Sequence, residues 1–128
     1  MLLLPSLITL LAILLYFGAT INVSRARLKY KVPAPRITGD EAFERIFRVQ
    51  QNTLEQLVIF LPSLWIFALQ LSELWANILG FVWLVGRVAY ALGYYRSAKQ
   101  RAAGFAISIL SSSCLTFGAI VGVLLGLL

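Results

Sequence analysis

Four long apolar stretches take up most of the chain, and they constrain its fold more than any other feature. A helix that crosses a bilayer needs about 20 mostly apolar residues and satisfies its backbone hydrogen bonds internally. The sequence therefore predicts an all-α membrane protein, a bundle of four transmembrane helices forming one domain over residues 1–128. The predicted spans are residues 2–23, 41–71, 74–95 and 102–128.

The composition argues against a water-soluble domain. Hydrophobic residues make up 60% of the chain and charged residues only 12%, whereas a typical soluble domain is about one quarter charged. The net charge of +6 is gathered in short clusters beside the apolar stretches, so we expect no nucleic-acid partner. Because the chain has one cysteine, Cys114, and no histidine, we expect neither an internal disulfide nor a metal site.

The two basic clusters predict the orientation in the membrane. The first cluster follows the first span and consists of Arg25, Arg27, Lys29, Lys31 and Arg36, interrupted by Pro33 and Pro35. The second lies between the third and fourth spans and consists of Arg96, Lys99 and Arg101, whereas the only charged residue of the middle connector is Glu73. Basic connectors remain on the cytoplasmic side of a membrane. We therefore expect both clusters in the cytoplasm and both termini on the opposite side, in a bacterial inner membrane or the endoplasmic reticulum.

Polar side chains inside the spans are costly and are usually functional. At about 100° per residue, one face of the second helix collects Glu44, Arg45, Arg48, Asn52 and Glu55, and Gln50 points elsewhere. One stripe of the third helix collects Arg87, Tyr90 and Tyr94, joined by Arg101 if that helix continues so far.

Two interpretations of these faces stay open. In the first, the charged groups are interhelical ion pairs and the tyrosines form an aromatic belt at the membrane surface. In the second, they line a site for a small ligand that carries carboxylates and an ammonium group. Arginine binds carboxylates through two parallel hydrogen bonds, and Glu55 would pair with the amine. Without histidine, a reaction there would depend on charge stabilisation rather than proton shuttling.

Three segments carry a resemblance to a known family: Ala26–Val32, Phe43–Asn52 with Glu55, and Gly86-Arg87 with Tyr90, Gly93-Tyr94 and Arg101. Together they resemble the MAPEG family, the membrane-associated proteins of eicosanoid and glutathione metabolism. The similarity is greatest to the branch of microsomal glutathione transferase type two and leukotriene C synthase. It implies a homotrimer that binds glutathione, its cosubstrate, between subunits near the cytosolic face.

The resemblance also implies the roles of individual residues. Arg101 matches the catalytic arginine that holds the thiolate of glutathione. The remaining matched positions are glutathione-binding ones: Arg27, Arg48, Gln50, Asn52, Glu55, Arg87, Tyr90 and Tyr94. Gln50 lies off the predicted polar face, so it belongs to this set only through the resemblance. Contact between Gln50 and glutathione bound by a partner subunit would explain its position.

The resemblance implies a membrane glutathione transferase, which conjugates glutathione to a lipophilic electrophile. A second implied activity is the glutathione-dependent reduction of lipid hydroperoxides. The sequence departs from leukotriene C synthase at Leu28, where that enzyme has a second arginine, and at Gln56, where it has a tyrosine. These departures disfavour leukotriene synthesis. The alternatives are a non-catalytic lipid-binding scaffold of the same family and a glutathione-dependent isomerase similar to prostaglandin E synthase.

Overall fold

The computed structural model describes residues 1–128 and contains four long helices with a short 3₁₀ turn before the last. All four helices are long and apolar enough to cross a membrane. The prediction of an all-α protein with four spans is therefore confirmed, and the chain is an integral multi-pass membrane protein. The elements are α1 (Leu3–Tyr30), α2 (Glu41–Gln70), α3 (Glu73–Arg96), the 3₁₀ turn (Ala98–Arg101) and α4 (Ala102–Leu127).

The two middle helices, α2 and α3, each begin with a side-chain cap. The Asp40 carboxylate accepts a hydrogen bond from the backbone N–H of Ala42 at 2.8 Å, and α2 starts at the next residue after Asp40. The Ser72 hydroxyl accepts one from the backbone N–H of Trp75 at 3.2 Å at the start of α3. These bonds satisfy backbone donors that a helix leaves unpaired in its first turn.

Helix α1 is longer than predicted, because it continues through the basic segment that we expected to be a connector. Arginine, leucine and lysine are good helix formers, and no proline occurs between Pro5 and Pro33. The helix ends where Lys31 adopts a left-handed conformation and the backbone N–H of Val32 donates to the carbonyl of Arg27 at 3.0 Å. The true connector thus covers only residues 31–40.

All four helices contribute to one apolar core. The Phe60 ring of α2 stacks on the Trp83 ring of α3, with ring centroids 3.9 Å apart. Ile8 of α1, Leu64 of α2 and Leu115 of α4 are fully buried in the same cluster. Large apolar side chains elsewhere on all four helices are exposed, as expected for surfaces that contact lipid.

Helices α3 and α4 approach each other closely through small residues. A Cβ atom on Gly104 would lie 2.1 Å from the backbone nitrogen of Tyr90, and one on Gly86 would lie 2.9 Å from that of Ser108. Membrane helices pack through such small residues because apolar lipid supplies no hydrophobic drive for them to associate. This contact fixes Tyr90 against the start of α4.

We predict that Gly104→Ala destabilises the protein, because the added methyl group would overlap the backbone of α3. Overpacking of this kind costs about 1–3 kcal/mol, which thermal unfolding in detergent would measure as a lower Tm. The matched control is Gly126→Ala, since a Cβ there meets no atom within 4 Å. An unchanged Tm for Gly104→Ala would contradict this account of the α3–α4 contact.

Candidate functional site

A polar cavity of about 750 Å³ lies where α2, the end of α3, the 3₁₀ turn and the start of α4 meet. Most of the residues predicted to form a site line this cavity. They are Arg48, Asn52 and Glu55 from α2, Tyr90 and Tyr94 from α3, and Arg101 from the 3₁₀ turn. Residues spaced by three or four positions share a helix face, which is how each helix presents its group to one space.

Arg101 reaches the cavity from the 3₁₀ turn and not from α3. Helix α3 stops at Arg96 because Ser97 has an extended backbone, so α3 does not continue as far as Arg101 and Arg101 does not join its polar stripe. The 3₁₀ turn instead folds back, and the Arg101 guanidinium donates to the carbonyl of Ala98 at 2.6 Å. Its central carbon lies 5.3 Å from the centroid of the Tyr94 ring, within the range of a cation–π contact.

Aromatic rings form one wall of the cavity. The rings of Tyr90 and Tyr94 meet edge to face with centroids 5.5 Å apart, and Phe105 of α4 lies 6.3 Å from Tyr90. Tyr90 is buried, whereas Tyr94 is half-buried. The wall therefore places an apolar surface and phenol groups next to the charged groups of α2.

Arg87 supports the cavity from behind rather than lining it. Only 2% of its surface is exposed. Its guanidinium donates to the Asn52 side-chain oxygen at 2.9 Å and to the Thr53 hydroxyl at 2.8 Å, and lies 4.1 Å from the centroid of the Tyr90 ring. Because the Asn52 oxygen is already an acceptor for Arg87, the amide NH₂ is the part left to donate to a ligand.

Two predicted residues lie away from this cavity. The side-chain NH₂ of Gln50 donates to the Thr20 hydroxyl at 3.2 Å, so Gln50 faces α1. The Arg27 guanidinium donates to the carbonyls of Val32 at 3.2 Å and Arg36 at 2.5 Å. Within one chain, the structure brings neither residue to the cavity.

The polar face predicted on α2 is also shorter than expected at its N-terminal end. Glu44 accepts a hydrogen bond from the backbone N–H of Gly39 at 3.1 Å, so it stabilises the start of the helix. Neither Glu44 nor Arg45 lines the cavity, which begins one turn later at Arg48.

Sequence reasoning missed two polar residues that line the cavity, Gln51 and Lys99. Lys99 belongs to the second basic cluster, and its position in the 3₁₀ turn beside Arg101 is the signal that would have found it. Gln51 lies about 100° around α2 from Asn52, so helical periodicity alone assigns it to the edge of the face.

Comparison with known proteins identifies the family of this chain. The profile of the MAPEG family matches residues 5–121, almost the whole length. The chain belongs to the MAPEG family. This membership confirms the resemblance that the three sequence segments carry.

Individual known proteins are similar to most of this chain. It is 55% identical over 120 residues to the uncharacterized protein sll1147 of Synechocystis sp., covering 94% of this chain and 88% of that protein. It is 44% identical to human microsomal glutathione S-transferase 2 over 94 residues, 73% of this chain and 63% of the human protein. It is 41% identical to bovine leukotriene C4 synthase over 96 residues, 75% and 64% of the two chains.

We predict that Arg87→Ala destabilises the bundle, because Asn52 and Thr53 lose the buried donor they share. Each polar group left unpaired costs about 1–3 kcal/mol, which thermal unfolding in detergent would report. Arg96→Ala is the matched control, since Arg96 is exposed at the end of the same helix. Equal Tm values for the two variants would show that Arg87 does not hold the cavity together.

Proposed function

We propose that this protein is a membrane glutathione transferase that activates glutathione as its thiolate and conjugates it to a lipophilic electrophile. The observation that carries the proposal is the polar cavity, where two guanidinium groups, one carboxylate and two phenols face the same space. The transferase named among the relatives supports the same activity.

The charges of the cavity complement those of glutathione, which has two carboxylates, one ammonium group and one thiol. Arg48 and Lys99 supply cations for the carboxylates, and Glu55 supplies the anion for the ammonium group. The NH₂ of Asn52, oriented by Arg87, donates to a carbonyl of the peptide. Tyr90 and Tyr94 position the ligand against the aromatic wall.

Arg101 is the residue that we assign to thiol activation. A free thiol has a pKa of about 8.5, and an adjacent guanidinium lowers it by stabilising the thiolate. The thiol proton passes to solvent at the open cavity. The sulfur electron pair then forms a bond to the electrophilic carbon, and the leaving group departs with the electrons of the broken bond. With a lipid hydroperoxide, the thiolate would instead attack the peroxide oxygen, and a second glutathione would complete the reduction.

The proposal includes a homotrimer with glutathione at the subunit interfaces. Arg27 and Gln50 match glutathione-binding positions of the family but lie away from the cavity of their own chain. A neighbouring copy that presents these two residues to the cavity would complete the site. Disruption of the trimer should then weaken glutathione binding without a change inside any one subunit.

The orientation that we propose follows from the two basic clusters. The cavity contains Lys99 and Arg101 of the second cluster, and α1 carries the first cluster at the same end of the bundle. Basic segments favour the cytoplasm, so the cavity would open there, with both termini on the other side. The electrophile, being lipophilic, would arrive laterally from a bacterial inner membrane or the endoplasmic reticulum.

We predict that Arg101→Ala lowers kcat for conjugation of 1-chloro-2,4-dinitrobenzene about tenfold or more at pH 7, because loss of the guanidinium raises the pKa of the thiol and leaves less thiolate. The ultraviolet absorbance of bound thiolate should fall in parallel. Arg96→Ala removes the same charge outside the cavity and should keep both signals. If Arg101→Ala kept the full rate, the thiolate role would be wrong.

The same assay separates the alternatives. Glutathione binding without turnover of any electrophile or hydroperoxide would favour a non-catalytic lipid-binding scaffold. Turnover confined to a prostaglandin endoperoxide would favour the isomerase. Absence of glutathione binding would mean that the polar faces only hold the helices together.

We predict that Glu55→Gln raises the Kd for glutathione about tenfold, because a charge-assisted bond to the ammonium group is lost while the side-chain shape is kept. Glu41→Gln is the matched control on α2, since Glu41 is exposed in its first turn. Calorimetric titration of the detergent-solubilised protein would measure both. A glutathione analogue without its amino group should bind the two variants equally, and a persistent difference would exclude the proposed pairing.

A further inference from the structure

A second cavity lies on a different side of the bundle from the polar one. It is an open groove of about 480 Å³ between α1 and α3, to which α2 also contributes. Most of its lining is apolar, with Leu11, Leu14 and Gly18 on α1 facing Leu84 and Val88 on α3. The proposed reaction does not use this groove.

The groove leads into a basic pocket. Asn22 and Tyr95 line both spaces, and the second pocket, of about 180 Å³, adds Arg25, Lys29 and Tyr30. No acidic residue lines either space. An apolar channel thus ends in a pocket whose only charges are positive.

The dimensions of this combined surface match one leaflet of a bilayer. Leu11 and Asn22 lie on the same stripe of α1 and are separated by about 16 Å along its axis. A leaflet contributes about 15 Å of a hydrocarbon core that is about 30 Å thick. Arg25 and Lys29 follow on the same stripe, one and two turns further, which is the depth of the lipid headgroups.

The polar groups at the junction suit a phosphate ester. The Asn22 amide donates to the Tyr95 phenol oxygen at 3.1 Å, so the phenol keeps its own O–H for donation to another acceptor. The Lys29 ammonium lies 5.3 Å from the centroid of the Tyr30 ring, which holds it near the pocket. Cation, phenol and amide donors therefore surround the position that a headgroup would take.

We propose that this groove binds an acidic phospholipid of the surrounding bilayer, with an acyl chain between α1 and α3 and its phosphate at Arg25 and Lys29. The basic end selects an anionic amphiphile over a neutral one. A second copy of the chain is a poorer occupant, because Arg27, the residue assigned above to a subunit interface, projects about 160° away from Lys29 around α1.

The test uses the full-length protein in detergent, mixed with equal amounts of dioleoylphosphatidylglycerol and dioleoylphosphatidylcholine and examined by native mass spectrometry. Each juxtamembrane basic residue strengthens attraction to anionic lipid about fivefold, so two give a preference of about 25-fold for phosphatidylglycerol. Soluble glycerol phosphate at the same concentration should not displace the lipid, since it has no acyl chain to fill the groove.

Two pairs of variants make the test specific. Arg25→Gln with Lys29→Gln should remove the preference, whereas Lys31→Gln with Arg36→Gln removes the same charge nearby and should keep it. Gly18→Leu should prevent retention of the lipid by filling the groove, and Gly126→Leu is its control. An added Cβ meets no atom within 4 Å at either glycine, so both variants are expected to fold.

Several results would overturn the proposal. Equal loss of preference in both charge variants would mean diffuse attraction of lipid to a basic surface. Unchanged lipid retention in Gly18→Leu would mean that the lipid lies elsewhere. If Gly18→Leu retained the lipid but raised the KM for the electrophile, the groove would belong to the second substrate. If Gly18→Leu changed only the oligomeric state of the protein, the groove would be covered by a second copy of the chain.

Discussion

The buried guanidinium of Arg87 is the interaction on which the site depends. A charge within an apolar span is tolerated only when polar partners replace water, and here Asn52 and Thr53 of α2 accept hydrogen bonds from it while the Tyr90 ring lies beneath. These contacts hold α2 and α3 in one position relative to each other. Because Asn52 also lines the polar cavity, the bond that stabilises the bundle orients a group that a ligand would meet.

The close contact between α3 and α4 completes the arrangement. Gly86 and Gly104 allow the two backbones to approach, and Gly93 leaves room for the backbone of Gln100 in the 3₁₀ turn. The turn can then fold back over the end of α3 and place Arg101 beside Tyr94. Three glycines thus determine where a charged side chain from outside the helices reaches the cavity.

Arg87 also lies at the wall that separates two environments. It lines the apolar groove between α1 and α3, while its partner Asn52 lines the polar cavity. A change of position in Arg87 would therefore affect both spaces. If the proposed lipid occupies the groove, it therefore lies one side chain away from a group of the polar cavity.

The sequence by itself determined the four spans, because about 20 apolar residues in a row have one stable arrangement in lipid. It also determined which side chains share a helix face, since periodicity is local: Arg48, Asn52 and Glu55 meet in one cavity as their spacing indicates. Only the tertiary structure decided which faces meet. It brought Arg101 to the cavity by a turn and placed Arg87 behind the cavity instead of in its lining, because contacts between helices depend on packing that no single segment encodes.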